Sequence, residues 1–253
     1  MIDRLKDTRS IKVSGHRGYK SAYPENTLLA FHEALKAGVD MLEFDLRLSK
    51  DGAVVVIHDD TVDRTTNGTG NVREMTTAQL QELDAGGWFN TIFSGLKIPT
   101  FAELCRLLQH YPDVLLNVEI KRSPDAVQTV DGAMELLNEY GLLPRCVFTC
   151  FDGEIIAYLH DHYGAKTQGF MEDVMSGFTA GEGGTYSKMW AIGIEMKLLT
   201  PADVERFRDM GLQVWSYCPD TEQQVLYSIG CGATVMTCND PMPALRLRTL
   251  LEG

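Results

Sequence analysis

Short β-rich runs alternate with helical patterns from one end of the chain to the other, and this rhythm restricts the fold more than any other feature. The runs are IKVSGH (11–16), MLEFDLRL (41–48), VLLNVEIK (114–121), CVFTCF (146–151), AKTQGFM (165–171), WAIGIEM (190–196), LQVWSYC (212–218) and ATVMTC (233–238), eight in all. Between them lie NTLLAFHEALKAG, TFAELCRLLQHY, DAVQTVDGAMELLNEYG, TPADVERFRDMG and DTEQQVLYSIG, several with a capping residue at the start and Gly just past the end. Eight strand–helix units in 253 residues predict an α/β chain folded as a (β/α)₈ TIM barrel, with a doubly wound sheet as the alternative. With 44% hydrophobic residues the chain has the material for a core of that size.

One interval breaks the rhythm. Between Gly52 and Ile98 a further strand-like run, AVVVIH, leads into a Gly/Thr/Asp-rich segment. Long insertions in barrels sit on the loops that follow strands and serve the site there. The expectation is a single domain over 1–253, with a small lid-like insertion at about 60–97 after the second strand.

Charge narrows the partners. A formal net charge of −12 argues against nucleic acid and against an anionic membrane surface, while a small anion would need a local positive pocket. No apolar run approaches the ~20 residues of a membrane span. The first ten residues are polar and lack the apolar stretch of a secretory signal, so the expected compartment is the cytoplasm. Six cysteines occur without a C-x-x-C pair and are expected to be reduced and mostly buried. A homo-oligomer is left open.

Side chains two apart on a strand face the same way, so Glu43 and Asp45 project together, as do Glu119 and Lys121. His16 ends the first run, His58 ends the extra one, and Trp215 with Tyr217 lies near the end of the seventh. Barrel sites form at the C-terminal rim, where these residues would converge. The Glu43/Asp45 pair alone fits equally a solvent-facing strand edge or a salt-bridge partner of Arg47 and Lys121. A third carboxylate, Glu119, tips it toward one divalent cation, Mg²⁺ or Ca²⁺, because three oxygen donors suit a hard ion. His32, His110, His160 and His162 fall in helical patterns and read as structural, whereas Asp59 and Asp60 either orient His58 or only open the loop.

Two imidazoles, a carboxylate-held cation, an arginine and a lysine suit cleavage of a phosphodiester, a small-molecule substrate. Cationic groups neutralise phosphoryl oxygens while the imidazoles divide acid and base duties. The segments GHRGYKSAYPENT, EFDLRLSKDGAVVVIHDDTVDRTTNGTG, LDAGGWF, IPTFAELC and NVEIK together resemble the glycerophosphodiester phosphodiesterase family, from about Ile11 to Pro241. The resemblance implies a metal-dependent hydrolysis of glycerophosphodiesters to sn-glycerol 3-phosphate and an alcohol. It implies His16 and His58 as the acid/base pair, Glu43, Asp45 and Glu119 as metal ligands, Arg17 and Lys121 as phosphate contacts, and Glu25 as a supporting residue. Trp215 is expected to contact substrate and Glu195 to support a polyol or sugar. Gly18 is expected to let the chain pass close to a phosphate.

Two segments depart from the family pattern. VWSYC carries Cys218 where asparagine is frequent, and VMTCNDP runs one residue longer before Asp-Pro. Both changes leave phosphodiester hydrolysis intact and bear on the alcohol, so the alternative is a phosphodiesterase for a sugar-linked or other polyol diester; a catalytically silent binder of phosphate ligands is the reading from a different class, and the His16/His58 pair argues against it.

Overall fold

The computed structural model describes residues 1–252. Its strands are β1 (Lys12–His16), β2 (Met41–Leu48), β3 (Val54–Val56), β4 (Leu115–Ile120), β5 (Cys146–Thr149), β6 (Thr167–Gly169), β7 (Ala191–Glu195), β8 (Gln213–Tyr217) and β9 (Val235–Cys238). Its helices are α1 (Leu28–Ala37), α2 (Thr77–Glu82), α3 (Phe101–Leu108), α4 (Ala126–Glu139), α5 (Gly153–Tyr163), α6 (Pro201–Asp209), α7 (Glu222–Cys231) and α8 (Met242–Glu252). All strands except β3 pair in parallel around a ring that closes between β1 and β9 and again between β1 and β2. The fold is a (β/α)₈ TIM barrel.

The helices start where the sequence supplies caps. Thr27, Thr100, Thr200 and Thr221 each accept a backbone N–H in the first turn of α1, α3, α6 and α7, and Glu103 and Gln224 complete capping boxes. Gly38, Gly164 and Gly232 end α1, α5 and α7 in the left-handed conformation.

The further run AVVVIH does not enter the barrel. β3 is antiparallel to β2, with Leu46 opposite Val56 and Leu48 opposite Val54, so it opens the insertion as a hairpin on the barrel's outside. The insertion has its own apolar centre of Val55, Ile57, Val62, Val72, Leu80, Ala85 and Ile98, which holds the loop bearing His58 against the rim.

Apolar burial is divided into two layers on the barrel itself. The larger lies between strands and helices and includes Phe31, Phe44, Phe101, Ile156 and Phe207. The smaller plugs the N-terminal end of the barrel interior: Met41, Leu115, Val147, Trp215 and Val235 meet Ile2 and Leu5 of the N-terminal 3₁₀ turn. One inward step along each strand, the next side chain is polar: Glu43, Asn117, Thr149, Tyr217 and Thr237. The barrel axis therefore runs from a sealed apolar floor to a polar mouth.

All six cysteines are free thiols, five buried and Cys218 partly so. Among the described residues no helix is long and apolar enough to cross a membrane.

Candidate active site

The polar mouth is a cavity of about 550 Å³, its opening included, lined by His16, Arg17, Glu43, His58, Glu119, Lys121, Phe151, Phe170 and Tyr217 among others. Strand register brings its carboxylates together. Asp45 of β2 lies opposite Glu119 of β4, and His16 of β1 lies opposite Glu43. Glu43, Asp45 and Glu119 are all buried and present one oxygen each within 4.8 Å of one another.

Three carboxylates at that spacing repel unless something positive lies between them. Lys121 donates from Nζ to Glu119 Oε1 and lies 3.5 Å from Asp45 Oδ1. Arg17 Nε lies 3.2 Å from Asp45 Oδ2, and Asn26 Nδ2 donates to that same oxygen at 2.7 Å. The Arg17 backbone takes a left-handed φ of 54°, and its N–H donates to Glu43 Oε2 at 2.8 Å. Even so, Glu43 Oε1 and Asp45 Oδ1 are buried without a hydrogen-bond partner. Two orphaned acceptors in an all-oxygen donor set fit a hard divalent cation.

The local electrostatics follow from this crowding. Burial, then the charges of Asp45 and Glu119, push the Glu43 carboxyl well above the usual range. Burial and Asp45 likewise raise Glu119 against the pull of Lys121. For Asp45 burial acts upward too, but Lys121, Arg17, His58 and the Asn26 hydrogen bond overcome it and hold the group low.

The two imidazoles face the cavity from different supports. Burial, with Lys20 and Arg17 adding to it, pushes the His16 pKa down to about 3. Its Nδ1 meets Asn239 Oδ1 at 2.6 Å and its Nε2 lies 3.8 Å from Glu43 Oε2. Burial also lowers His58, whose Nδ1 meets Asp59 Oδ1 at 2.6 Å. Arg64 binds Asp59 from Nε at 2.6 Å and Glu25 through both Nη1 and Nη2, so the insertion and the β1–α1 loop are tied together behind the site. Glu25 also receives Arg17 Nη1 at 2.9 Å.

Of the residues singled out from sequence, His16, Arg17, Glu43, His58, Glu119 and Lys121 line one cavity, Asp45 sits behind its wall, and Glu25 braces Arg17. Asp59 is resolved as the partner of His58, whereas Asp60 lines a separate cleft with Arg47 and Arg122. Three further expected residues lie away from the cavity lining. Trp215 is 1% exposed and belongs to the apolar floor, one inward step below the cavity, while Tyr217 occupies the wall. Glu195 ends β7 opposite Tyr217 in register but is not among the residues lining the cavity. Gly18 adopts a φ of 83°, and a Cβ there would lie 2.6 Å from the carbonyl carbon of Ala30. Its small size lets the turn pack closely on α1. Sequence reasoning missed Asn26, Arg64, Asn239 and the inward polar positions Asn117, Thr149 and Thr237. The last three were accessible from period-two alternation alone.

The sequence profile of the glycerophosphoryl diester phosphodiesterase family matches residues 16–242. The chain belongs to that family. Family members align with it to different extents. A glycerophosphodiester phosphodiesterase of Bacillus subtilis is 28% identical over 94% of this chain and 86% of its own. That of Caldanaerobacter subterraneus subsp. tengcongensis is 40% identical over 55% of this chain, and the match spans little more than half of that relative, 58%. Among solved structures, an Oleispira antarctica phosphodiesterase in complex with the product sn-glycerol-3-phosphate superposes with a TM-score of 0.82, covering 95% of this chain and 97% of that one at 23% identity. At that identity the likeness speaks for the fold.

Proposed function

We propose that this protein hydrolyses glycerophosphodiesters to sn-glycerol 3-phosphate and an alcohol with the help of a divalent cation, the whole chain acting as one catalytic unit. The observation that carries this reading is the convergence of two imidazoles on one cavity against three buried carboxylates, Asp45 just behind its wall, that leave two oxygens unpartnered. Glu43, Asp45 and Glu119 would hold the cation, Mg²⁺ or Ca²⁺, which when bound neutralises phosphoryl charge and polarises the phosphorus centre. With all three carboxylates ionised, Arg17 and Lys121 would leave the centre one charge negative, and a held divalent ion would make it one positive, suited to a diester monoanion.

Arg17 and Lys121 bring cationic N–H donors to the phosphoryl oxygens. One imidazole takes the proton from the attacking oxygen, whether water or a neighbouring glycerol hydroxyl. The other delivers a proton to the departing alkoxide oxygen, a poor leaving group without it. Phe151, Phe170 and Tyr217 offer a carbon-rich wall for the glycerol skeleton. Six free thiols support a reducing, cytoplasmic setting.

The test is turnover of glycerophosphocholine by cation-stripped protein with and without added Mg²⁺ or Ca²⁺, read by coupled detection of glycerol 3-phosphate. Turnover should depend on the cation, and His16→Ala and His58→Ala should each lower kcat by about 10²-fold or more. A panel including sugar phosphodiesters fixes the alcohol. Turnover of those alone would replace the glycerol assignment.

A further inference from the structure

His16 is held from behind by a short chain of hydrogen bonds that the reaction itself does not use. Asn239, just past β9, places Oδ1 2.6 Å from His16 Nδ1. Its Nδ2 donates to Asp220 Oδ2 at 2.7 Å. The other Asp220 oxygen accepts the backbone N–H of Asn239 at 2.7 Å and of Asp240 at 3.1 Å. A carboxylate only accepts, so the nitrogen of the Asn239 amide must face Asp220 and its oxygen must face His16. An amide oxygen also only accepts. His16 Nδ1 therefore carries the ring proton, and the lone pair sits on Nε2, the nitrogen turned toward Glu43 and the cavity.

We infer that Asp220 and Asn239 are positioning residues that set the tautomer and ring orientation of His16, so that Nε2 is the atom exchanging a proton with substrate. The two departures from the family pattern meet at this point. The Cys218 thiol lies 3.4 Å from the same Nδ1, and the extra residue of VMTCNDP lies in the segment that delivers Asn239. The Asn239 amide, pinned by Asp220, supplies the strong acceptor that a thiol beside the ring does not. The inference rests on the acid/base role proposed for His16.

The tautomer can be read without any turnover. In ¹⁵N-resolved NMR of the imidazoles at pH 7, with His16 assigned by comparison with His16→Gln, Nδ1 should be the protonated nitrogen. Asp220→Asn keeps the shape and acceptors for the backbone N–H groups but offers an NH₂ to Asn239. The Asn239 amide then turns its own NH₂ toward His16 and drives the proton to Nε2. The spectrum should switch and kcat should fall about 10- to 100-fold with KM near wild type, the usual scale for partners that orient a working imidazole. Asn239→Ala should lose kcat similarly. The exchanged pair Asp220→Asn/Asn239→Asp restores every donor and acceptor and should recover most of the kcat lost by Asp220→Asn, an outcome that general loosening of the fold does not produce. An Nε2–H tautomer in the wild type, full kcat in Asp220→Asn, or failure of the exchanged pair to recover activity overturns the inference. The expected spectra with unaffected turnover in His16→Ala would keep the tautomer and remove the catalytic role of His16 instead.

Discussion

Removing the cation should lower the melting temperature by an amount set by the three carboxylates, and by more at alkaline pH. In the cation-free protein Glu43 and Glu119 have carboxyl groups raised above the ordinary range, chiefly by burial and by Asp45. A carboxyl raised on folding is ionised more easily in the unfolded chain. As pH climbs above about 4.5 the unfolded state therefore gains relative to the folded one, and stability falls. A bound divalent ion reverses the sign by favouring the charged carboxylates, so its binding releases protons and strengthens with pH. At a free concentration of 100 times Kd it adds about 2.7 kcal/mol. For a chain of this size about 2–4 °C accompanies each kcal/mol, so the rise should be about 5–10 °C at pH 8 and smaller at pH 5. The assay is circular-dichroism melting in EDTA against millimolar Mg²⁺ or Ca²⁺ at both pH values. Glu43→Gln keeps an acceptor for the Arg17 N–H while removing one repelling charge, so it should melt no lower than wild type in EDTA yet lose most of the cation-induced rise. Superimposable melts with and without cation at both pH values, together with full turnover in EDTA, would refute the carboxylates as a cation site.

Trp215→Ala should cost about 3–5 kcal/mol, because it hollows the floor of the barrel, and the melting temperature should drop by more than about 6 °C; kcat and KM of the folded fraction should stay near wild type, which kinetics below the transition will check. Gly18→Ala should destabilise without a matching change in KM, since its methyl would press on the backbone of Ala30, and thermal melts beside substrate titrations separate the two. Burial alone would raise the Glu25 carboxyl, but Arg64 and Arg17 hold it down at about 2, so its contribution is present above about 4.5 and lost as pH falls toward 2. Arg64→Met should accordingly shift acid unfolding to higher pH, measurable as the midpoint of a fluorescence-monitored acid titration.

Much of this architecture was legible because it rests on local chemistry. The capping threonines and terminal glycines mark the helices, and the period-two spacing of Glu43/Asp45 and Glu119/Lys121 marks which side chains share a face. What local chemistry does not carry is height along the barrel axis. Trp215 and Tyr217 share a face, and only the register that sets Trp215 beside Val235 shows that the tryptophan lies with the floor. Asn239 was equally hidden, because its partner His16 is 223 residues away and the two meet only where β1 and β9 close the ring. Yet height has a trace in sequence once the strands are compared with one another. Met41 precedes Glu43, Leu115 precedes Asn117, Val147 precedes Thr149 and Val235 precedes Thr237, each a step from large apolar to polar two residues on. Read against those four steps, Trp215 is the apolar member of its pair and Tyr217 the one that reaches the mouth. In a closed barrel the interior must be filled layer by layer, so the point at which these strands turn polar together marks the floor of the site.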